Sequence, residues 1–266
     1  MPKIGYVQNN PVNGNLEANF DRVEKLLNDV KADFIVLPEL FATGYIFENP
    51  EEVNTFAEDF TGETTAFLYK IAKKTGATIQ GGFVESGEGK SFNSVAVVSP
   101  HGLVGSYRKI HLYGREKKWF TPGNKPFHIL EIGESHEWVI GPMICFDWVF
   151  PEAARSLSLL GAEIISHSAN LILPFCQKAM ITRCLENRVF MITANRIGSE
   201  QKAGLDLSFT GMSQIVAPNG DILSTAPANE EYVDVVEVDV KLSQDKWFTK
   251  KNNLFEDRRP EYYHLK

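Results

Sequence analysis

The chain has 266 residues, of which 43 % are hydrophobic and 11 % aromatic, so it can build one large globular core. Its formal net charge of −7 argues against a general nucleic-acid binder, because such proteins present a basic surface. Three cysteines without a Cys-x-x-Cys pair, and no apolar run approaching about 18 residues, predict a reduced cytoplasmic protein without a secretion signal or membrane span. The six histidines lack zinc-ligand spacing, so neither a metal nor a cofactor is expected.

The first half of the chain predicts the element order βαβαββ. Lys3 to Gln8 alternates like a strand, and Asn15 can cap a helix that extends to Lys31 with apolar side chains at helical spacing. A strand, a second helix ended by a glycine and two further strands follow, over residues 33–38, 64–74, 77–82 and 93–98.

The second half predicts a repeat of this order. Its elements are a strand, helix, strand, helix and strand over residues 138–145, 151–160, 163–167, 175–188 and 190–194, followed by a hairpin. Val97-Val-Ser-Pro-His-Gly matches Ile215-Val-Ala-Pro-Asn-Gly, and Ala32-Asp-Phe-Ile matches Ala162-Glu-Ile-Ile. The offsets of 118 and 130 residues are similar, which favours an internally pseudo-duplicated fold with two stacked sheets and helices outside.

Cys145 is the first candidate for chemistry. It ends an apolar strand immediately before a turn and the start of a helix. The position is typical of a nucleophile, but a buried structural cysteine is the alternative interpretation, because free cysteine is among the most buried residue types. A thiol has an ordinary pKa of about 8.5, so only about 3 % is thiolate at pH 7, and a nearby cation or helix N-terminus would raise that fraction.

Two charged residues are predicted at the same edge of the fold. Glu39 follows the apolar run Asp33-Phe-Ile-Val-Leu-Pro, and Lys109 follows a strand and turn between Val95 and Gly105. Open α/β sheets carry their chemistry at the carboxyl ends of the strands. A carboxylate, an ammonium group and a thiol therefore share one inferred edge, although a lone glutamate or lysine is more typical of a solvated surface.

The segments around these three residues resemble the nitrilase superfamily of carbon–nitrogen hydrolases. The pairing of Cys-Phe-Asp-Trp with Phe-Pro-Glu-Ala-Ala-Arg is most similar to a branch with thermophilic archaeal nitrilases and small-amide amidases. The resemblance implies that residues 1–266 form a single α/β domain, a four-layer αββα sandwich of two stacked mixed sheets with helices outside. The matches extend over nearly the whole chain and include Leu37-Pro-Glu-Leu, Tyr107-Arg-Lys-Ile-His-Leu, Ile144-Cys-Phe-Asp-Trp, Phe120-Thr-Pro-Gly, Phe150-Pro-Glu-Ala-Ala-Arg, Cys184-Leu-Glu-Asn-Arg and Pro218-Asn-Gly-Asp-Ile-Leu.

The resemblance also implies a Glu-Lys-Cys triad. Glu39 would be the general base toward the Cys145 thiol and then the acid toward the leaving ammonia, and the same carboxylate would activate the water that attacks the thioester. Lys109 would offset the repulsion between carboxylate and thiolate. Together with the backbone N–H of Phe146, it would also donate hydrogen bonds to the oxyanion.

The resemblance implies a second glutamate, and the residues that follow the predicted strands and site residues suggest a pocket. Glu116 would hydrogen-bond the lysine and position the substrate, but two lysines follow it directly, so an exposed charged loop is the alternative. An apolar cleft without a spare arginine favours a small neutral acyl group, although Arg108, Arg115 and Arg183 stay open as partners for an acidic substrate. The side chains expected to line the cleft, each with core packing as the alternative, are Tyr45, Trp119, Trp148 and Asn170.

The predicted activity is hydrolysis of small amides to a carboxylic acid and ammonia. Hydrolysis of small aliphatic nitriles, of ω-amides or of N-carbamoyl amines stays open, since these activities share the catalytic residues. A Cys-His-acid triad using His111 or His167 is disfavoured, because Met143 and Asp147 stand where that elbow needs glycines. A catalytically silent binding scaffold would have lost a triad residue, and all three are present.

The C-terminal tail, residues 240–266, is predicted to pack on another subunit. A monomer would have difficulty burying its large apolar side chains, which stand among many charges, so a homodimer or larger homo-oligomer is expected. Beyond a second copy, the expected partner is a small amide or nitrile, with neither nucleic acid nor membrane. The apolar side chains of the tail are Trp247, Phe248, Leu254, Phe255, Tyr262 and Tyr263.

Overall fold

The fold is described from a computed structural model that covers residues 1–133 and 137–264. The helices are α1 (Leu16–Leu26), α2 (Pro50–Phe56), α3 (Glu63–Thr75), α4 (Glu116–Trp119), α5 (Pro151–Leu159) and α6 (Cys176–Asn187). The strands are β1 (Lys3–Gln8), β2 (Phe34–Val36), β3 (Thr78–Gly87), β4 (Lys90–Ser99), β5 (Gly102–Arg108), β6 (Leu130–Ile132), β7 (Trp138–Ile144), β8 (Ile164–Ser168), β9 (Phe190–Ala194), β10 (Ser199–Lys202), β11 (Leu205–Ser208), β12 (Gln214–Val216), β13 (Ile222–Thr225), β14 (Tyr232–Glu237), β15 (Trp247–Thr249) and β16 (Asn252–Asn253).

Two six-stranded mixed sheets form the centre of the molecule. The first has the strand order β14-β1-β2-β3-β4-β5 and the second has the order β13-β12-β9-β8-β7-β6. Each sheet contains three parallel strands, flanked on one side by an antiparallel edge strand and on the other by an antiparallel hairpin. The two halves of the chain therefore share one topology, and the predicted pseudo-duplicated αββα sandwich is confirmed.

The short repeats seen in the sequence occupy equivalent places in the two sheets. Ser99 and Gly102 enclose the turn between β4 and β5, and the corresponding Pro-Asn-Gly lies between β12 and β13. Ala32 and Ala162 each stand just before the second parallel strand of a sheet. Their similar offsets thus reflect the fold.

Apolar side chains fill the space between the sheets and the spaces under the helices. Between the sheets, residues such as Phe34 of β2 and Ile164 of β8 belong to one buried cluster. On the outer faces, α1 and α3 pack on the first sheet, and α5 and α6 pack on the second. Burying one large apolar side chain contributes about 1.5–3 kcal/mol, so these three layers supply the main stabilisation.

Strand direction brings three chain segments to one edge. β5 runs parallel to β2 because two antiparallel steps, β3 to β4 and β4 to β5, separate β5 from the parallel strand β3. Across the sheets, the Ser168 hydroxyl donates to the Leu37 carbonyl oxygen at 2.7 Å, so the carboxyl ends of β8 and β2 are aligned. The residues that follow β2, β5 and β7 consequently meet at the same end of the sandwich.

The structure corrects two details of the predicted elements. The first helix ends at Leu26 and not at Lys31, because the chain turns at residues 27–29, where Asp29 has a φ of 64°. Helix α2 was not predicted, although Asn49 caps it and Pro50 stands in its first turn, both of which are helix-start signals. In the part of the chain that the structure describes, no helix is long and apolar enough to cross a membrane.

Two adjacent glycines of β3 give a test of this packing. A Cβ added at Gly81 would lie 2.8 Å from side-chain atoms of Leu68 and Phe41, which can shift. A Cβ added at Gly82 would lie 2.5 Å from the backbone nitrogen of Leu40 and 2.7 Å from the Cα of Glu39, which are fixed. Because overpacking typically costs about 1–3 kcal/mol, we expect Gly81→Ala to lie in that range and Gly82→Ala to cost more.

The measurement is the free energy of unfolding in urea for both variants and the unaltered chain. Equal m-values would show that the substitutions do not change the surface exposed on unfolding. Differences between the urea midpoints would then report differences in stability. A Gly82→Ala protein as stable as Gly81→Ala would contradict the rigid contact between β3 and the segment after β2.

Candidate active site

Glu39 lies three residues beyond the end of β2 and is completely buried. Its Oε1 accepts hydrogen bonds from Lys109 Nζ at 2.6 Å and from Asn93 Nδ2 at 2.7 Å. Within the described residues its Oε2 has no hydrogen-bond partner. A buried carboxylate oxygen without a donor is costly, so this atom is available to accept a proton or a hydrogen bond from a ligand.

Lys109 follows β5 directly and is also completely buried. Its backbone N–H donates to the Asn93 carbonyl at 2.8 Å, and its Nζ donates to Glu39 at 2.6 Å and to Glu116 at 2.8 Å. Burial lowers the pKa of this ammonium group, but the charges of Glu116 and Glu39 outweigh burial and raise the pKa above its usual value. Lys109 is therefore a buried cation held between two carboxylates.

Glu116 begins the short helix α4 and is completely buried. Its Oε1 accepts from the Tyr45 hydroxyl at 2.6 Å, and its Oε2 accepts from the backbone N–H of Tyr113 at 3.1 Å. Burial raises the pKa of this carboxyl group to about 6, and the attraction of Lys109 opposes that rise. Glu116 is thus not part of an exposed charged loop, which was the alternative suggested by the two lysines that follow it.

Tyr45 is fixed by a second buried ion pair. Its ring is edge-on to Trp119 and Phe209, and its backbone N–H donates to the Glu200 carboxylate at 3.1 Å. Glu200 is paired with the buried guanidinium of Arg196, which lies 4.0 Å above the Phe209 ring. Ring packing and the hydrogen bonds of the backbone therefore hold Tyr45 in place, and they fix the position of the hydroxyl that contacts Glu116.

Cys145 follows β7 directly and starts a 3-10 helix over Cys145–Val149. Its φ of 40° lies in the left-handed region, which costs a non-glycine residue about 1–3 kcal/mol. The Nε2 atom of His167 lies 2.9 Å from the Cys145 carbonyl oxygen, so His167 contacts the backbone of the cysteine and not its thiol. Because strain of this kind persists only where neighbours enforce it, the local structure holds the side chain in one direction.

The thiol of Cys145 is influenced by the carboxylate cluster. Burial and the charge of Glu39 raise its pKa well above the ordinary value, and Lys109 partly offsets them. The resting side chain is accordingly a neutral thiol, which needs a base before it can act as a nucleophile.

A small cavity of about 40 Å³ opens beside the sulfur. The side-chain amide of Asn170 is buried, and within the described chain neither Nδ2 nor Oδ1 has a hydrogen-bond partner. The lining contains no ionisable cation or carboxylate; its residues are Tyr113, Cys145, Phe146, Trp148, Val149, Asn170, Leu171, Ile172 and Leu173.

The predicted site residues fall into three groups in the structure. Hydrogen bonds connect the first group, Glu39, Lys109, Glu116 and Tyr45. The second group lines the cavity and comprises Cys145, Phe146, Trp148 and Asn170. Trp119 stands apart, because its ring packs against Tyr45 and Phe47 in a buried cluster.

The arginines that stayed open as substrate partners are engaged elsewhere. Arg108 is bonded to Glu85 at 2.7 Å, Arg183 to Glu186 at 3.0 Å, and Arg115 to a main-chain carbonyl. None of the three lines the cavity beside the thiol.

Several residues of the site were not predicted from the sequence. Asn93 lies inside β4 in a run without any catalytic pattern, so nothing in the sequence marks its contact with Glu39. Asp147 stands in the segment that carries the cysteine, yet its partners in the β5 segment are visible only in the fold. Among the described residues, no group of three or more His, Cys, Asp or Glu side chains is arranged to hold a metal ion.

Comparison with known proteins shows the family to which the chain belongs. The model of the carbon-nitrogen hydrolase family matches residues 3–246. A nitrilase of Pyrococcus abyssi is 45 % identical over 267 residues, covering 99 % of each chain, and an (R)-stereoselective amidase of a Pseudomonas species is 32 % identical over 85 % of this chain and 80 % of its own. The crystal structure of a carbon-nitrogen hydrolase from Helicobacter pylori superposes with a TM-score of 0.87 at 25 % identity, covering 98 % of this chain and 96 % of that one.

These matches extend over the whole sandwich and confirm the resemblance seen in the sequence. The chain is a carbon–nitrogen hydrolase and belongs to the family of nitrilases and amidases.

Proposed function

We propose that the protein hydrolyses small neutral carboxamides to a carboxylic acid and ammonia through a thioester on Cys145. The observation that carries the proposal is the buried Lys109 ammonium between Glu39 and Glu116, with the Cys145 thiol in the same electrostatic cluster. Among the residues that the structure describes, Glu39 Oε2 has no hydrogen-bond partner. This set provides the nucleophile, the proton carrier and the cation that amide cleavage needs.

In the first half-reaction, Glu39 Oε2 takes the proton of the thiol as the Cys145 sulfur forms a bond to the amide carbon. The electron pair of the C=O double bond moves to oxygen, and the resulting oxyanion accepts hydrogen bonds from Lys109 Nζ and the backbone N–H of Phe146. When the oxyanion collapses, the C–N bond breaks, Glu39 returns the proton to nitrogen, and ammonia leaves. The acyl group then remains on sulfur as a thioester.

In the second half-reaction, Glu39 accepts a proton from water as the water oxygen attacks the thioester carbon. Collapse of this second oxyanion breaks the C–S bond, and the proton on Glu39 passes to the leaving sulfur. The products are a carboxylic acid and the original thiol, so protons and electrons balance over the cycle.

The positive charge of Lys109 supports both half-reactions. A carboxylate next to a thiol disfavours the thiolate, and a cation between them reduces that repulsion. Loss of one oxyanion donor typically costs about 10²–10³ in rate, which corresponds to about 2.7–4 kcal/mol. A desolvated ammonium already placed at the site supplies this stabilisation without reorganisation during the reaction.

The cavity supports a small uncharged acyl group. Its volume is about 40 Å³ and its lining is apolar and aromatic apart from Asn170. An acidic ω-amide would need a cation for its free carboxylate, and the arginines considered for that task are bonded elsewhere.

Nitrile hydrolysis is the second candidate function. It is favoured by the 45 % identity to the Pyrococcus abyssi protein named as a nitrilase. The same triad would then form a thioimidate on Cys145. One water converts the thioimidate to the thioester with loss of ammonia, and a second water hydrolyses the thioester to the acid and the free thiol.

We further propose that the tail packs against a second copy of the chain. Leu254 and Phe255 are half-buried on their own chain, with the Lys246 ammonium 5.0 Å from the Phe255 ring. By contrast, Trp247, Phe248 and Tyr262 are 48 %, 63 % and 67 % exposed. Large exposed aromatic groups of this kind are typical of an interaction surface, so a homo-oligomer accounts for them.

The nucleophile is tested by Cys145→Ala, with Cys184→Ala as the matched control because Cys184 is equally buried but lies in α6. We expect the unaltered protein to release ammonia from small aliphatic amides and to show an acyl mass increment on the Cys145 peptide after rapid quenching. Cys145→Ala should show neither, since it lacks the attacking sulfur, whereas Cys184→Ala should keep both.

The substrate panel for this experiment includes small aliphatic amides, the matching nitriles, ω-amides of dicarboxylic acids and N-carbamoyl amines. Ammonia released faster from nitriles than from amides would favour the second candidate. Turnover retained by a folded Cys145→Ala protein would end the assignment of the nucleophile.

The pH profile tests the role of Glu116. Its pKa of about 6 means that acid protonates this carboxylate, which removes one of the two negative partners of Lys109. Activity should therefore be present above pH 6 and be lost as the pH falls, with kcat/KM about tenfold lower at pH 5 than at pH 7.

Circular dichroism at pH 5 controls for acid unfolding. The Glu116→Gln variant should have a lower kcat/KM, and its pH profile should lack the inflection near pH 6. A profile of the unaltered protein that stays level from pH 7 to pH 5 would contradict a requirement for the ionised carboxylate.

A further inference from the structure

A completely buried carboxylate, Asp147, lies two residues after Cys145. Its Oδ2 accepts from the backbone N–H of Ile144 at 3.0 Å and from the Tyr107 hydroxyl at 2.8 Å. Its Oδ1 lies 2.7 Å from His111 Nδ1 and accepts from the His111 backbone N–H at 3.2 Å. Four contacts thus converge on one carboxylate, which is close to its full capacity as an acceptor.

Three of the four contacts come from the segment that carries Lys109. Tyr107 and His111 stand two residues before and two residues after Lys109. Lys109 follows β5 of the first sheet, whereas Asp147 and Cys145 follow β7 of the second sheet. Asp147 therefore joins the lysine segment to the cysteine turn across the interface between the two sheets.

The same carboxylate supports the strained backbone of the cysteine. The left-handed Cys145 is preceded by Ile144, whose N–H is held by Asp147, and its own carbonyl is held by His167 at 2.9 Å. Without the hydrogen bond to Asp147, the turn would keep the contact between His167 and the Cys145 carbonyl oxygen. It would lose the hydrogen bond that holds Ile144, the residue before the cysteine. The direction of the thiol would then be less well fixed.

The surroundings of Asp147 indicate that it acts through the backbone. It does not line the cavity beside the thiol. The His111 ring that contacts it is stacked 3.8 Å from the Phe150 ring, which fixes the imidazole in place. Each oxygen of Asp147 already has two contacts within the protein, so neither is available to a substrate.

We propose that Asp147 is a positioning residue that sets the distance and direction of the Cys145 sulfur relative to Lys109 and Glu39. This inference rests on the proposed function, because the alignment matters only if the thiol attacks a carbon while the lysine holds the oxyanion. A misplacement of about 1 Å in such a site can cost about 10²-fold in rate. Since the cavity lining is left in place, the loss falls on kcat and not on KM.

Three variants test this. Asp147→Asn replaces one acceptor oxygen by a donor that faces the existing donors. Tyr107→Phe removes the hydroxyl that donates to Asp147 and accepts from the backbone N–H of Ile110 at 3.3 Å. The matched control is Tyr6→Phe, since Tyr6 is also a fully buried tyrosine whose hydroxyl has a side-chain partner, Ser224 at 2.8 Å, but lies in the core between the sheets.

We expect kcat for a small aliphatic amide to fall about 10²-fold in Asp147→Asn and about tenfold in Tyr107→Phe, with KM changed less than about twofold. Tyr6→Phe should keep the kcat of the unaltered protein even if its unfolding midpoint falls as far as that of Tyr107→Phe. If Asp147→Asn does not fold, the comparison of the two tyrosine variants decides.

A second readout does not depend on turnover. The rate of alkylation of Cys145 by iodoacetamide, followed by mass spectrometry at pH 7, should fall about tenfold in Tyr107→Phe and stay unchanged in Tyr6→Phe, because a displaced thiol no longer passes its proton to Glu39. Absence of amide hydrolysis in the unaltered protein would refute the proposed function but leave this comparison intact. Unchanged kcat and alkylation in Tyr107→Phe, or equal losses in both tyrosine variants, would overturn the positioning role.

Discussion

The buried ammonium group of Lys109 is the interaction on which the site depends. An ammonium group without solvent is costly, and the cost is offset only if partners with good geometry surround it. Glu39 and Glu116 provide these partners at 2.6 and 2.8 Å. Because each glutamate would in turn be costly alone, the three charges form one unit, and the fold must bring all of them to one point.

The two-sheet architecture satisfies this requirement. β2 and β5 run in the same direction in one sheet, so Glu39 and Lys109 leave it at one edge, and β7 of the other sheet delivers Cys145 to the same end. The thiol then lies in a desolvated place, where burial and the charges of Glu39 and Glu116 raise its pKa. The strands that form the core also position these side chains, so the packing of the core and the geometry of the candidate site depend on the same arrangement.

The fold was predictable because its signals are local or repeated. The apolar run before Glu39 and the strand before Cys145 placed parallel strands, the two Pro-x-Gly turns placed the antiparallel hairpins, and the resemblance supplied the stacking of the sheets. Contacts between distant segments were not predictable. Asn93 reaches Glu39 across the sheet, and Asp147 contacts two residues of the β5 segment that stand 36 and 40 positions earlier in the chain. The pairing of β14 with β1 also joins distant segments. Pocket aromatics were ambiguous for the same reason, because Trp119 packs in the core while Trp148 lines the cavity.

The most direct test of the account is the protonation state of Lys109, observed by nuclear magnetic resonance of the protein with isotope-labelled lysine side chains. The account predicts that the Lys109 resonance keeps its ammonium character at a pH where the exposed lysines have titrated, because two carboxylates raise its pKa. It also predicts that this resonance titrates at lower pH in a Glu39→Gln/Glu116→Gln protein. A neutral Lys109 amine at pH 7 in the unaltered protein would contradict the central claim.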